Sequence, residues 1–157
     1  MVLKTLRDFL DRHHVRYVVM SHSPAYTAQE TAQAAHIHGE QFAKTTIVKL
    51  DGELAMAVLP ATQKVDLKLL AAAAGAAKSE VANEAEFRGR FAECELGAMP
   101  PCGNLFAMPV YVEEALTREK NIAFNAGTHS ELVQMAMADF VDLVKPRLAR
   151  IATTYSS

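Results

Sequence analysis

The sequence lacks the residues that build a disulfide framework, a zinc centre or a membrane span. Its 157 residues include no tryptophan and two cysteines, Cys94 and Cys102, which stand eight positions apart. A disulfide scaffold or a zinc site needs more ligands at closer spacing, so we expect reduced thiols in a cytoplasmic protein and no bound metal. No stretch approaches the roughly twenty apolar residues of a membrane span.

Charge is also scarce, and no sign of charge dominates. Charged residues make up 22% of the chain and the net charge is −2. A protein that binds nucleic acid broadly carries a basic face, so this class is excluded, while a local basic patch is not. Half of the residues are apolar, which favours one domain with a substantial core. The common nucleotide-phosphate loops and the serine-hydrolase elbow are missing from the sequence.

Apolar spacing and turn residues predict an α+β domain with a mixed sheet rather than a doubly wound parallel sheet. An Asp51-Gly52 hairpin and two capping boxes, Thr27 with Glu30 and Asn83 with Glu86, are the sharpest local signals. Helices are expected at the N-terminus, at 27–36 and 65–74, from Asn83, and at 139–144. Strands are expected at 15–21, 43–50, 53–59, 105–112, 121–125 and 130–137. Residues 153–157 are expected to be frayed.

The segment 97–103, with the sequence GAMPPCG, is the most informative stretch. Proline fixes φ and removes a backbone donor, and glycine permits positive φ and close approach. Such a loop can hold free N–H groups in one direction, as a developing negative oxygen requires. Taken alone, the loop is more ordinarily interpreted as a tight connection between two core segments.

Three further side chains have both a structural and a functional interpretation. Lys44 opens an apolar strand, where it either reaches solvent or supplies a fixed cation for a phosphate or carboxylate. His129 follows a glycine turn and is either an ordinary surface histidine or a hydrogen-bond donor or general base. Tyr26 either lines a pocket or covers the core.

Four short segments together resemble one known family. They are FAKT at 42–45, LPA at 59–61 after the hairpin, GAMPP at 97–101, and FNAGTH at 124–129 followed by Asp139-Phe140. Their order and spacing resemble the YbaK family, the editing domains of prolyl-tRNA synthetase and their free-standing relatives. The resemblance covers residues 1–146 and leaves 147–157 as a C-terminal tail. It implies a single α+β domain with a mixed, partly closed, barrel-like sheet surrounded by helices.

The resemblance implies hydrolysis of the ester that joins a wrong, small amino acid to tRNA-Pro or a related tRNA. Alanine, cysteine, serine and threonine are all candidates for that amino acid. The implied catalytic residues are Lys44 beside the terminal adenosine and its phosphate, Gly97 at the aminoacyl carbonyl, and His129 near the amino-acid pocket. The expected substrate-binding residues are Tyr26, Thr45, Met99, Pro101 and Gly127. No cofactor is expected, because an activated ester needs a positioned water and backbone donors rather than a strong nucleophile.

The expected partner is the CCA end of aminoacyl-tRNA, with a prolyl-tRNA synthetase as a further candidate. We expect a monomer or weak dimer that binds neither DNA nor membranes. Two other functions use the same residues. One is a non-catalytic module that holds a nucleotide or a tRNA end, and the other is a hydrolase of another small ester or amide with His129 as base. Release of the amino acid separates the hydrolases from the binding module.

Overall fold

Residues 3–155 are described by the computed structural model, and helices and strands alternate irregularly along them. The helices are α1 (Lys4–Arg12), α2 (Ala28–Ala34), α3 (Leu67–Ala74), α4 (Glu84–Phe87) and α5 (Met137–Val144). The strands are β1 (Tyr17–Ser21), β2 (Ala43–Leu50), β3 (Glu53–Pro60), β4 (Gln63–Val65), β5 (Ser79–Val81), β6 (Val110–Glu113), β7 (Asn121–Thr128), β8 (Glu131–Ala136), β9 (Arg147–Ala149) and β10 (Ala152–Thr154). None of the helices in this part of the chain has the length and apolar character needed to cross a bilayer.

The strands form three hydrogen-bonded sheets. The largest has the order β5-β2-β3-β6-β9, in which β3–β6 and β6–β9 are parallel and the other pairs antiparallel. The second sheet is antiparallel with the order β1-β8-β7, and β10 pairs with β4. A parallel bridge between Phe42 and Ala123 connects the start of β2 to β7. The predicted α+β fold with a mixed sheet is therefore confirmed.

Local sequence signals correctly placed the hairpin and the helix starts. Asp51 and Gly52 both have positive φ, +50° and +85°, which is the geometry that an Asp-Gly hairpin turn requires. Thr27 caps α2 by accepting a hydrogen bond from the Glu30 N–H at 3.1 Å, and the Glu30 carboxylate accepts from the Thr27 N–H. The second capping box, at the start of α4, is also present. These turns and caps fix where β2 ends and where β3 and α2 begin, and the candidate site is built on those elements.

The predicted strand at 105–112 is wrong for its first five residues. The chain turns through a 3₁₀ helix at Gly103–Leu105 and enters β6 at Val110. The Gly103 carbonyl accepts hydrogen bonds from the N–H groups of Phe106 and Met108, which closes a tight turn. A Cβ at position 103 would stand 2.1 Å from the Met108 carbonyl oxygen, so only glycine allows this closure. The irregular loop that begins at Gly97 therefore extends to residue 109.

Two apolar clusters hold the elements that carry the candidate site. The larger cluster joins the inner faces of the two main sheets to α1 and α5, through residues that include Leu6, Leu10, Met56, Phe124 and Phe140. A smaller cluster packs α2 against the bridge between the sheets, through Ala32, Ala35, Phe42, Ala61, Ala123 and Leu132. Burial of these side chains fixes α2, and therefore its N-terminal cap, over the start of β2.

The prediction that residues 153–157 are frayed is wrong for the part that the structure describes. Thr153 and Thr154 pair with Lys64 and Gln63, and Ile151 is fully buried. The buried Glu113 carboxylate accepts hydrogen bonds from the N–H groups of Ile151 and Ala152 at 2.9 and 3.0 Å. The sequence analysis missed β9 and β10 because three-residue strands show little periodicity of their own. Residues 156 and 157 lie outside the described residues.

Candidate active site

The glycine–proline loop and the turn after β7 are joined into one unit. The Glu95 N–H donates to the Gly127 carbonyl at 2.9 Å, and the Gly127 N–H donates to the Ala98 carbonyl at 3.0 Å. The Glu95 carboxylate accepts from the backbone N–H of His129 at 2.9 Å, and the His129 ring bonds to the Leu96 carbonyl. These bonds link segments about thirty positions apart, so the loop and His129 hold a fixed mutual geometry.

The contact with Leu96 determines which nitrogen of His129 is available to a ligand. His129 Nε2 lies 2.8 Å from the Leu96 carbonyl oxygen, and a carbonyl oxygen can only accept. Nε2 therefore carries a proton, and in the neutral ring Nδ1 is the acceptor that is left for water or substrate. The Tyr26 ring packs on His129 with 4.7 Å between ring centroids, and 73% of Tyr26 is exposed. His129 thus lies just beneath the surface, covered by an aromatic ring.

Gly97 follows the Leu96 carbonyl that the His129 ring contacts, and it lies beside that ring. Its φ of +87° lies in the left-handed region, which side chains rarely adopt. A Cβ at this position would stand 3.3 Å from His129 Cε1. Both observations require glycine here, and together they leave the Gly97 backbone exposed beside the imidazole.

The N–H of Gly97 belongs to an exposed residue of the loop and is a donor that a ligand can engage. It faces the Met99 sulfur at 3.2 Å, and a thioether is a weak acceptor. The Ala98 N–H is already bonded to the Glu95 carbonyl, and the two prolines that follow have no N–H. The loop can therefore present a backbone donor within the same unit that holds His129.

Lys44 lines a separate hollow at the N-terminus of α2. The hollow has a volume of about 440 Å³ and is lined by Thr27, Ala28, Gln29, Lys44, Ala61 and Tyr155. Lys44 Nζ donates to the Tyr155 hydroxyl at 2.7 Å. Within residues 3–155 no hydrogen bond, ion pair or ring contact joins Lys44 to Gly97 or to His129. The two parts are nonetheless neighbours, because Thr27 borders the Lys44 hollow while the preceding residue, Tyr26, packs on His129.

Asn125 is a site residue that the sequence analysis missed. The bridge between Phe42 and Ala123 places these two side chains in one cluster, and strand alternation puts Lys44 and Asn125 on that same side. Asn125 Nδ2 donates to the Gly97 carbonyl at 3.5 Å. Its Oδ1 is buried without a hydrogen-bond partner among the described residues. An uncharged polar side chain in the middle of an apolar strand was the signal that could have identified it.

Three of the predicted substrate-binding residues lie towards the core. Thr45 follows Lys44 on β2 and therefore faces the opposite side, across from Val58, with its Oγ1 buried and unpaired within the described chain. Met99 is buried in the main cluster, where its sulfur meets the Gly97 N–H. Pro101 is buried as well. None of the three borders the Lys44 hollow.

Gly127, the fifth predicted substrate-binding residue, lies beneath the N-terminal segment. Its φ is +99°, and a Cβ here would come within 3.0 Å of Leu3 Cβ. Leu3 also donates its N–H to the Ala126 carbonyl. The contacts of Gly127 therefore fix the loop and the N-terminal segment against β7.

The cysteine within the loop is not placed to act as a nucleophile. Burial raises the pKa of Cys102 to about 12 and that of Cys94 to about 11, so both thiols stay protonated near neutral pH. The part of the chain that the structure describes contains no group of three His, Cys, Asp or Glu side chains placed to hold a metal ion. The loop unit supplies a backbone donor and an imidazole, and the separate hollow across the Tyr26–Thr27 segment supplies an ammonium group. Such a set suits attack of water on an electrophile that is already activated.

Comparisons with known proteins identify the class. Residues 22–143 match the aminoacyl-tRNA editing domain family. The multifunctional Ser/Thr-tRNA deacylase ProXp-y of Escherichia coli K12 is 32% identical over 123 residues, which cover 73% of this chain and 71% of the relative. A crystal structure of a candidate trans-editing enzyme for prolyl-tRNA synthetase has a TM-score of 0.79 at 21% identity and covers 94% of each chain. That of a hypothetical protein has a TM-score of 0.85 at 16% identity, covering 96% of this chain and all of its own.

The fold and the site thus define an editing-type hydrolase. The chain belongs to the aminoacyl-tRNA editing domain family, and the resemblance found in its sequence motifs is confirmed. It is a hydrolase that acts on aminoacyl-tRNA ester bonds, and this assignment is favoured over a non-catalytic binding module.

Proposed function

We propose that this protein removes a wrongly attached small amino acid, with serine and threonine as the preferred substrates, from tRNA-Pro or a related tRNA. The observation that carries the proposal is the Gly97 N–H beside His129, with Asn125 bonded to the same glycine. The curated relative acts on Ser- and Thr-tRNA, which supports the choice of amino acid.

In this proposal the substrate lies across both parts of the site, with its phosphate in the Lys44 hollow and its ester at the loop. The 5′-phosphate of the terminal nucleotide meets Lys44. The ester lies beyond the Tyr26–Thr27 segment, and its carbonyl oxygen accepts a hydrogen bond from the Gly97 N–H. Water held at His129 Nδ1 gives a proton to Nδ1 as its oxygen adds to the carbonyl carbon, and the tetrahedral intermediate then expels the ribose oxygen, which takes that proton. The products are the free amino acid and tRNA with an intact terminal hydroxyl. A positioned backbone donor stabilises the negative oxygen of the intermediate by about 3 kcal/mol.

Asn125 Oδ1 gives this site a means of choosing hydroxyl-bearing amino acids. A buried acceptor without a partner carries a desolvation cost, and a substrate hydroxyl that donates to it removes that cost. A pocket built around such a bond discriminates against the analogue without the hydroxyl more strongly than pocket size alone can. Alanine lacks the hydroxyl, so alanyl-tRNA leaves Asn125 unpaired.

A panel of tRNAs charged with serine, threonine, alanine or cysteine tests the proposal. We expect turnover of Ser- and Thr-tRNA by the wild type, and Asn125→Ala should lower kcat/KM for both by about tenfold, the cost of one buried hydrogen bond. Alanyl-tRNA should lose less activity than Ser- and Thr-tRNA, since it has no hydroxyl to lose and shares only the loss of the long Asn125 bond to Gly97. Release of the free amino acid is the measurement.

Asn121→Ala is the matched control, because Asn121 lies on the same strand at the opposite end. Absence of turnover on every member of the panel would overturn the proposed activity. An equal loss on all substrates would instead assign Asn125 to a contact that serves every substrate, either with the shared α-amino group or with Gly97, and would refute the hydroxyl preference.

The finer partner and location assignments belong to the same proposal. A prolyl-tRNA synthetase is the candidate protein partner, because a structural relative is described as a candidate trans-editing enzyme for that synthetase. We expect a monomer or weak dimer that works in the cytoplasm, where tRNA is charged.

A further inference from the structure

The C-terminal segment brings an aromatic side chain to Lys44 from the far end of the chain. Strand β9 pairs with β6, and β10 pairs with β4. Where β9 leads into β10, the Glu113 carboxylate accepts hydrogen bonds from the N–H groups of Ile151 and Ala152. Tyr155 follows β10 directly and meets Lys44 across 111 positions of sequence. Two strand pairings and a buried carboxylate therefore determine where Tyr155 lies.

Lys44 contacts Tyr155 most closely at the hydroxyl, and half of Tyr155 stays exposed. Lys44 Nζ lies 2.7 Å from the hydroxyl oxygen but 4.9 Å from the ring centroid, so the ammonium group sits at the hydroxyl end of the ring. Tyr155 remains 50% exposed. The hydrogen bond already restricts the side chains of Lys44 and Tyr155, so less rotamer freedom remains to be lost when a ligand binds.

The hollow around this pair has the chemistry of a nucleotide site. Gln29 donates through Nε2 to the Ala61 carbonyl at 3.3 Å, which leaves its Oε1 as an acceptor. An exposed aromatic face, a side-chain amide and an ammonium group are the groups that stack a base, read its edge and hold a phosphate. The other exposed aromatic ring, Tyr26, lies over His129, on the side where the ester is placed.

We propose that Tyr155 is a further substrate-binding residue, on whose ring the terminal base of the tRNA stacks while its hydroxyl positions Lys44 for the adjoining phosphate. This inference rests on the proposed function and adds to it the residue that receives the base. The C-terminal segment, which the sequence alone marks as a tail, is then part of the substrate site.

The test compares Tyr155→Ala and Tyr155→Phe with the wild type. Fluorescence anisotropy measures the binding of labelled acceptor-stem hairpin RNAs that end in CCA or in CC followed by an abasic nucleotide, which keeps the terminal phosphate and removes only the base. Steady-state kinetics measures deacylation of Ser-tRNA. Stacking on an aromatic ring is worth about tenfold, so the wild type should prefer CCA by about tenfold and Tyr155→Ala should abolish that preference. KM should rise by a similar factor in Tyr155→Ala, with kcat within about twofold.

Tyr155→Phe retains the ring and should keep the preference for CCA, while KM rises a few-fold because Lys44 loses its hydroxyl partner. Leu148→Ala is the matched control: it shortens an exposed apolar side chain of the same C-terminal segment, away from the hollow. Leu148→Ala should behave as the wild type, and thermal unfolding checks that every variant is folded.

Unchanged discrimination and KM in Tyr155→Ala would overturn the inference. Faster turnover in either Tyr155 variant would also overturn it, since Tyr155 would then shield Lys44 from the substrate. If the wild type hydrolyses no aminoacyl-tRNA, the proposed function fails, but the comparison of CCA with the abasic end still decides whether Tyr155 binds the base.

Discussion

Replacing Gly97 with alanine lowers kcat/KM for Ser-tRNA deacylation by about 10²–10³-fold, the loss expected when one oxyanion donor is removed or misdirected. The added methyl group would stand 3.3 Å from His129 Cε1 on a backbone whose φ is +87°. Relief requires the loop to move, and the N–H of residue 97 and the imidazole lose their common geometry. The effect should fall on kcat, because the donor acts on the charge that develops during reaction. Single-turnover release of serine measures it.

Gly75→Ala is the control that distinguishes the effect of backbone strain from the effect of disturbing the active site. Gly75 also has a left-handed φ, +67°, and nothing lies within 4 Å of the position where its Cβ would stand. Both substitutions cost about 1 kcal/mol of backbone strain, whereas only the one at Gly97 disturbs the contact with His129. Gly75→Ala should keep its activity while losing a comparable amount of stability. A fully active Gly97→Ala would show that the loop does not hold the ester carbonyl.

Replacing Lys44 with alanine removes the cation that the substrate phosphate meets. We expect kcat/KM to fall by about 10–100-fold, mainly through KM, as for loss of a charge-assisted hydrogen bond worth about 1.5–3 kcal/mol. The slope of log(kcat/KM) against log of the salt concentration should become shallower by about 0.7, the contribution of one phosphate contact on single-stranded RNA. Deacylation measured across a range of salt concentrations gives both quantities.

Lys49→Ala provides the matched control on the same strand. Lys49 faces the side opposite Lys44 and forms ion pairs with Glu80 and Glu86, which raise its pKa through hydrogen bonding. Its loss should leave KM and the salt slope as in the wild type. A Lys44→Ala variant with an unchanged salt slope would contradict a phosphate contact at Lys44.

The sequence predicted the elements whose signals are local. The Asp51-Gly52 turn requires two positive φ angles, and the capping boxes satisfy helix-end donors through residues three positions apart. Such features depend on a few neighbouring residues and therefore need no knowledge of the rest of the fold. The α+β class with a mixed sheet follows from their order along the chain.

Features that depend on distant parts of the chain could not be predicted in this way. The contact between Tyr155 and Lys44 requires two strand pairings in different sheets and the buried Glu113. The turn at Gly103 is closed by the Met108 N–H, which donates to the Gly103 carbonyl, and it makes an apparently regular apolar strand start late. In each case tertiary contacts override a local pattern that is either weak or misleading.

The residues of the candidate site also differ in whether they could be predicted from local sequence. Family motifs supplied Gly97 and His129, which lie side by side. Strand alternation, however, separates Thr45 from Lys44 by placing adjacent residues on opposite faces. Asn125 lies within the FNAGTH motif at 124–129. It was overlooked because its position beside Gly97 depends on how β7 meets the loop.

A crystal structure with a non-hydrolysable seryl amide of 3′-amino-3′-deoxyadenosine 5′-phosphate would locate the ester mimic in the site. We expect its carbonyl oxygen about 3 Å from the Gly97 nitrogen, the distance of a working oxyanion donor. The 5′-phosphate should lie at Lys44 Nζ, and the two contacts should occur in the same bound molecule. A carbonyl oxygen that makes no contact with Gly97, in a ligand whose phosphate lies away from Lys44, would contradict this assignment of the active site.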